Sequence, residues 1–221
     1  MAHTAAERTA RPSRHPWLLD RERAALVVID VQTVLLEHIW EKEKLVRNIG
    51  YMMDVARIHH LPTIVTEHNP QGLGPTDEAV KAKLEETGLG YKPLTKNIFS
   101  CCGHADFLDA VGSTGREQVI LTGMESHICV SQTALDLLHH GFEVHVVEDA
   151  VRARWESSHR VAIEKMRQAG AIICDWEMAA YELTYGAKTD EFKGLLALMK
   201  RAAERSTADA GRVEPHQAAG V

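Results

Sequence analysis

Short, uninterrupted runs of apolar and β-branched residues recur along the chain and predict β-strands. Five runs have this form, and they end at Asp30 (AALVVID), Glu67 (TIVTE), Gly123 (QVILTG), Asp149 (EVHVVED) and Asp175 (AIICD). Because polar residues do not alternate with apolar ones inside these runs, we expect both faces of most of these strands to be buried. A parallel sheet covered by helices on both sides has this property.

Between the predicted strands, apolar residues recur every three to four positions, which predicts amphipathic helices. Five helices are expected, over residues 41–60, 76–86, 131–141, 157–170 and 190–205. Alternation of strand and helix is typical of right-handed crossovers in one sheet. The sequence therefore predicts an α/β fold, a three-layer, doubly wound, mostly parallel and Rossmann-like sheet.

One domain is expected, because 221 residues are enough for one deep core and short for two. We predict a flexible arm over residues 1–16, the domain over 17–205 and a flexible tail over 206–221, since both ends lack core-forming residues. There is no apolar run of the roughly 18 to 20 residues that cross a bilayer, and the first residues lack the apolar stretch of a secretory signal. Neither membrane insertion nor export is predicted.

The net charge of −6 disfavours attraction to nucleic acid or to anionic lipid, so small molecules are the expected partners. The four cysteines form no C-x-x-C pair and no dense framework, which is typical of free thiols in a reducing compartment. We therefore predict a cytoplasmic protein that binds neither nucleic acid nor membranes.

Asp30 and Cys129 are the first candidates for chemistry. Asp30 ends the first predicted strand, and Cys129 lies in the segment TGMESHICV, which joins a later strand to a helix. The carboxyl ends of parallel strands meet at one edge of the sheet, where ligands bind. A thiol attacks only as a thiolate, and lowering its pKa from ~8.5 to about 7 takes roughly 2 kcal/mol. A helix N-terminus and a nearby cation such as Lys96 are expected to supply this amount.

A carboxylate beside the sulfur would itself disfavour the thiolate. Asp30 is therefore expected to act as a proton acceptor whose charge is offset by Lys96. Backbone amides around Glu125 and Cys129 would then face the oxygen of an attacked carbonyl. Taken singly, each residue also has a structural interpretation: Cys129 as a small buried side chain, Asp30 as a turn cap and Lys96 as a solvated lysine. Lys92 competes for the role of Lys96.

Three separated motifs resemble the isochorismatase-like cysteine hydrolases, which include nicotinamidases and N-carbamoylsarcosine amidases. They are VVIDVQ with Asp30 and Gln32, KNIFS with Lys96, and TGMESHICVSQTALDLLHHGFEVHVVEDA with Cys129. In order and spacing they are similar to the family over residues 24–185. The nucleophile turn GMESHICV resembles a branch whose substrates are mostly unassigned.

The resemblance implies a catalytic triad of Cys129, Asp30 and Lys96. It also implies a cis peptide between Met124 and Glu125, with the amides of Glu125 and Cys129 directed at the oxyanion. Homo-oligomers, dimers or larger, are implied as well, and the segment around residues 72–75 is a candidate for lining a partner's pocket. Substrate contacts are predicted for Gln32, Phe99, His127 and Trp155.

No metal and no cofactor are predicted. The region in which nicotinamidases carry a metal set contains only His68 beside Glu67, too few ligands for a site. Neither G-x-G-x-x-G after the first strand nor G-x-x-x-x-G-K-[ST] occurs. Cys101, Cys102 and Cys174 are predicted to be inert.

The leading hypothesis is cysteine-dependent hydrolysis of a small amide-like substrate through a thioester. A first alternative is vinyl-ether hydrolysis of an isochorismate-like substrate, with Asp30 as the acid and no need of the cysteine. A second is a binding or scaffold protein that keeps the fold without turnover.

Overall fold

The computed structural model describes residues 14–210 and places a six-stranded, all-parallel sheet between two layers of helices. The strands are β1 (Ala24–Ile29), β2 (Thr63–His68), β3 (Leu94–Lys96), β4 (Gln118–Met124), β5 (Glu143–Arg152) and β6 (Ile172–Cys174). Their order is β3-β2-β1-β4-β5-β6, so the direction of winding reverses between β1 and β4. This arrangement confirms the predicted doubly wound α/β fold.

The helices are α1 (Thr33–Leu36), α2 (Lys42–His59), α3 (Pro70–Leu73), α4 (Glu78–Thr87), α5 (Ala105–Ser113), α6 (Ser131–His139), α7 (Glu156–Gln168), α8 (Trp176–Thr184) and α9 (Asp190–Ala210). A 3₁₀ turn at Cys101–Gly103 and a π-helical turn at Ser126–Val130 complete the elements. All five predicted helices are present, with bounds shifted by a few residues.

The core lies on both faces of the sheet. In β1, Leu26 and Val28 pack into the layer formed by α2, α4, α8 and α9, while Val27 and Ile29 pack into the layer formed by α5, α6 and α7. All six residues of β1 are fully buried. The uninterrupted apolar run was therefore a correct sign of burial on both faces.

Gly123 brings the end of β4 very close to the end of β1. Its φ is +112°, and a Cβ atom at this position would lie 2.1 Å from the carbonyl oxygen of Ile29. Because only glycine tolerates both the backbone angle and the close approach, β4 delivers its next residues directly beside the residue that follows Ile29.

The structure describes the innermost residues of both predicted flexible ends, whose flexibility stays a prediction. The Arg14 guanidinium donates to the carbonyl oxygens of Leu19 (2.9 Å) and Glu182 (3.0 Å) and lies 5.0 Å from the ring centroid of Tyr185, so the predicted arm is attached at its last residues. Helix α9 continues to Ala210, and its predicted end at residue 205 was too early. Residues 1–13 and 211–221 of the predicted arm and tail lie outside the described residues.

Within residues 14–210, none of the helices has the length and apolar character to cross a membrane. The cytoplasmic location stays a prediction.

His145 in β5 is a polar side chain without polar partners. It is fully buried, and neither ring nitrogen has a hydrogen-bond partner among the described residues. Burial lowers its pKa from 6.5 to about 4. Burial likewise lowers the pKa values of His59 and His159 to about 4. These rings are therefore neutral in the folded protein near neutral pH.

We expect the free energy of unfolding to fall as the pH is lowered from 6.5 toward 4. In this window the unfolded chain, with an ordinary histidine pKa, binds protons that the folded chain excludes. A shift of this size corresponds to about 2 kcal/mol per histidine between neutral pH and pH ~5. The substitution His145→Leu should remove the part of this fall in unfolding free energy that His145 causes. The measurement is urea denaturation at both pH values. His140→Gln, at an exposed position, is the control, and a pH dependence in H145L equal to that of the wild type would contradict this explanation.

Candidate active site

Asp30 follows directly after β1 and is held at both carboxylate oxygens. Its side chain is fully buried, and its backbone is left-handed, with φ +51°. Oδ1 accepts a hydrogen bond from the Thr66 hydroxyl at 2.7 Å, and Oδ2 accepts one from Lys96 Nζ at 2.6 Å. Buried carboxylates require such partners, and this one has an opposite charge as well as a hydroxyl.

Lys96 is the last residue of β3, and its ammonium group is enclosed. Besides Asp30, Nζ donates to the carbonyl oxygens of Ile98 (3.2 Å) and Phe99 (3.0 Å), so all three donors are used. Burial alone would lower the pKa of Lys96, but the charge and hydrogen bond of Asp30, together with the nearby thiols of Cys101 and Cys129, raise the pKa by more in total. Lys96 is therefore a fixed cation, whereas the competing Lys92 is exposed to solvent.

Cys129 lies in the π-helical turn after β4, two residues before α6 begins, and only 6% of the residue is exposed. Burial raises the pKa of its thiol, and the charge of Asp30 and a hydrogen bond to that carboxylate raise it further. Lys96 lowers the pKa, but by less. The predicted pKa near 7 was therefore wrong, because the sequence did not show how deeply the sulfur is buried. At neutral pH the resting group is a thiol.

The turn that carries Cys129 is organised around the carbonyl of Glu125. The peptide bond between Met124 and Glu125 is cis. The Glu125 carbonyl oxygen accepts hydrogen bonds from the amides of Ile128 (3.0 Å) and Val130 (3.2 Å). These two amides are therefore engaged inside the turn, and the amides of Glu125 and Cys129 stay the candidates for binding an oxyanion.

The Glu125 side chain forms a contact that the sequence did not indicate. Its carboxylate accepts from Arg154, with Oε2 at 3.0 Å from both the backbone nitrogen and Nε, and Oε1 at 2.6 Å from Nη2. Burial raises the pKa of Glu125, but the hydrogen bonds and charge of Arg154 lower it by more. A buried carboxylate therefore pairs with a half-exposed guanidinium beside the nucleophile turn.

Cys101, which was predicted to be inert, lies beside the candidate triad. It is fully buried, and its sulfur is 3.8 Å from the Thr66 hydroxyl, which itself donates to Asp30. Burial, followed by the charge of Asp30, raises the pKa of Cys101 to about 11. It is therefore a neutral thiol at neutral pH, as expected of an inert side chain, although it lies beside the triad.

The Isochorismatase domain family matches residues 24–178. The chain belongs to the isochorismatase family. Isochorismatase family protein 1B of Dictyostelium discoideum is 32% identical over 190 residues, which cover 85% of this chain and 91% of that protein. The family resemblance predicted from the three motifs is confirmed, and the chain is an isochorismatase-family hydrolase.

Two solved structures are similar to this isochorismatase-family protein. The MAR1 ribonuclease of Caenorhabditis elegans is 34% identical, with a TM-score of 0.75 over 82% of this chain and 91% of that one. The YcaC gene product of Escherichia coli, described as an octameric hydrolase of unknown specificity, is 28% identical, with a TM-score of 0.78 over 90% of this chain and 99% of that one.

Gln32, a predicted substrate contact of this family member, joins the end of β2 to the segment around Gly74. Its amide oxygen accepts from the backbone nitrogen of His68 (2.7 Å), and its amide nitrogen donates to the carbonyl oxygens of His68 (3.0 Å) and Gly74 (2.6 Å). Both amide hydrogens are therefore used within the protein. Direct contact of Gln32 with substrate stays a prediction.

The other predicted substrate contacts follow the carboxyl ends of three strands and are partly or largely exposed. Phe99 is 53% exposed and stacks on His68, with ring centroids 5.4 Å apart. Trp155 is 64% exposed at the start of α7, and His127 is partly exposed, with Nδ1 4.0 Å from Glu125 Oε2. These residues bring aromatic surface to the carboxyl edge of the sheet. In the part of the chain that the structure describes, no group of three or more His, Cys, Asp or Glu is arranged to hold a metal ion.

Proposed function

We propose that the protein hydrolyses the C–N bond of a small amide-like substrate, with Cys129 as nucleophile, Asp30 as general base and acid, and Lys96 as the fixed counter-charge. One observation carries this proposal. The Asp30 carboxylate lies between a buried cation and a buried, protonated thiol, so a base is already in contact with the group that must lose its proton.

In the proposed reaction, Asp30 takes the proton of Cys129 as the sulfur attacks the carbonyl carbon. The amides of Glu125 and Cys129 donate to the oxygen that becomes negatively charged. When the tetrahedral intermediate collapses, the C–N bond breaks and Asp30 returns the proton to the leaving nitrogen. Asp30 then deprotonates a water molecule that attacks the thioester, which releases the acid and restores the thiol.

The raised pKa of Cys129 favours this order of events over a preformed thiolate. A free thiolate would lie beside the negative charge of Asp30 in a buried site, which costs free energy. Transfer of the proton to Asp30 removes that repulsion at the moment when the sulfur begins to bond to carbon. Lys96 holds a positive charge 2.6 Å from the carboxylate throughout.

Ribonuclease activity, which is ascribed to the C. elegans relative, is less well supported for this chain. The net charge is −6, and the two ion pairs of the site, Asp30 with Lys96 and Glu125 with Arg154, are each neutral as pairs. A polyanion gains little from such a surface.

The octameric E. coli relative supports the proposal that this protein also forms a homo-oligomer.

The proposal is tested by trapping the acyl-enzyme. The wild-type protein is mixed with a panel of small amides and activated esters, quenched rapidly, digested and analysed by mass spectrometry. We expect an acyl group on the peptide that contains Cys129, together with hydrolysis that stops after alkylation of that residue. RNA and isochorismate complete the panel. Amide hydrolysis that continues at full rate after complete alkylation of Cys129 would overturn the proposal.

A further inference from the structure

The Glu125 carboxylate is a buried charge for which the proposed reaction has no use. The residue is 4% exposed, although it lies at the carboxyl edge of the sheet, where a substrate would bind. Three donors of Arg154 contact it, and His127 Nδ1 lies 4.0 Å from Oε2. Burying a charged group costs free energy, so its retention next to the nucleophile calls for a function.

The same residue is fixed at both its side chain and its backbone. The side chain is tied to Arg154, two residues beyond the end of β5, and the carbonyl oxygen accepts the amides of Ile128 and Val130 on either side of Cys129. The amide nitrogen of Glu125, one of the two proposed oxyanion donors, is bonded to the Cα atom that carries both of these anchored groups. Any rotation of the Glu125 backbone would therefore have to break contacts at one end or the other.

Ser126, the residue after Glu125, is also held by a contact with the segment that follows β5. Ser126 is fully buried, and its hydroxyl lies 3.3 Å from Nδ1 of His159 in α7. Two successive residues of the turn are thus joined to the segment that runs from the end of β5 into α7. The contact between Ser126 and His159 is longer than the hydrogen bonds between Arg154 and Glu125, and it involves neutral groups. The paired hydrogen bonds from the Arg154 guanidinium, called the Arg154 fork below, are therefore the stronger constraint.

We propose that the Glu125–Arg154 ion pair fixes the conformation of the turn. It thereby holds the backbone amides of Glu125 and Cys129 where they can donate to the oxyanion that forms when the Cys129 sulfur attacks. The inference rests on the proposed function, because an oxyanion forms only if the sulfur attacks a carbonyl. Two parallel N–H donors on a planar guanidinium fix both distance and direction, which the single ammonium of lysine does not. Neither side chain takes part in the bond changes, so both are positioning residues.

Two reactions of the same sulfur separate positioning from mere stability. Acylation by p-nitrophenyl acetate builds negative charge on a carbonyl oxygen and needs the amides, whereas alkylation by iodoacetamide displaces iodide and needs only the thiolate. In Arg154→Met and Glu125→Gln we expect the acylation rate to fall by about 10-fold to 100-fold, because small misplacements of donors have effects of this size. The alkylation rate should stay within about 2-fold of the wild-type rate, and its dependence on pH should be unchanged.

Two further variants sharpen the comparison. Arg154→Lys keeps the charge and loses the fork, so it should recover only part of the acylation rate. Arg160→Met removes an exposed arginine from the neighbouring helix α7 and serves as the matched control, with both rates unchanged. Because Arg154 is itself half-exposed, its variants are the ones expected to fold if Glu125→Gln does not.

Equal losses of acylation and alkylation in Arg154→Met, or no loss of either, would overturn the inference. If the wild-type protein takes up no acyl group, the proposed function fails, and the inference is then judged by hydrogen exchange at residues 125–130. Faster exchange there in Arg154→Met than in Arg160→Met would support a positioning role, and unchanged exchange would refute it.

Discussion

Replacing Cys129 with alanine is expected to lower kcat/KM for amide hydrolysis by about 10⁴-fold or more, because the sulfur that forms the proposed thioester is removed. Cys129→Ser should be almost as inactive, since a buried hydroxyl loses its proton to Asp30 far less readily than a thiol does. The measurement is steady-state hydrolysis of the best amide from the panel. Cys174→Ala is the matched control, since Cys174 is similarly buried in β6, and its activity should be near that of the wild type.

The pattern across two variants distinguishes the alternatives. Turnover that survives Cys129→Ala and is lost in Asp30→Asn would contradict the thioester mechanism and indicate proton transfer by Asp30 alone, as in vinyl-ether hydrolysis. Absence of turnover in the wild type, together with tight binding of a small molecule, would indicate a binding protein that keeps the fold.

Replacing Lys96 with methionine is expected to damage both stability and activity. The substitution leaves the Asp30 carboxylate buried without its counter-charge, which typically costs about 3 to 5 kcal/mol of unfolding free energy. A carboxyl group in that state takes up a proton and stops acting as a base, so kcat/KM should fall by about 10² to 10⁴ at neutral pH. Urea denaturation and amide hydrolysis as a function of pH measure the two effects.

Lys92→Met provides the comparison for this variant. Lys92 is exposed four residues earlier in the chain, and its replacement should change the unfolding free energy by no more than about 0.5 kcal/mol. The importance of the ion pair would be disproved if Lys96→Met and Lys92→Met were equally stable and equally active.

The strands that the sequence predicted are those that contain an apolar run. β1, β2, β4, β5 and the short β6 all contain such a run, and all five were found. β3 has only three residues, Leu94–Lys96, and pairs with the end of β2 alone, so no run marks it. Helix α8 was missed because its apolar face covers few positions, although Asp175 caps it by accepting from the amide of Met178.

For the site, the sequence identified side chains better than their environments. Asp30 and Cys129 follow strands of recognisable type, and Lys96 was distinguished by the residues after it. The predicted direction of the Cys129 pKa shift was wrong, because the burial of the sulfur depends on contacts between segments that are distant in the sequence. The Arg154 partner of Glu125 lies 29 residues away with no motif between them, so only the folded chain brings the pair together.

The left-handed backbone of Asp30 limits which acid this position accepts. Apart from glycine, asparagine and aspartate are the residues that most readily occupy this region of the Ramachandran plot. Glutamate would be disfavoured there, and its extra methylene would displace the carboxylate from a contact that is now 2.6 Å long. The turn after β1 therefore selects the length of the acid as well as its charge, and asparagine is the isosteric replacement that removes only the charge.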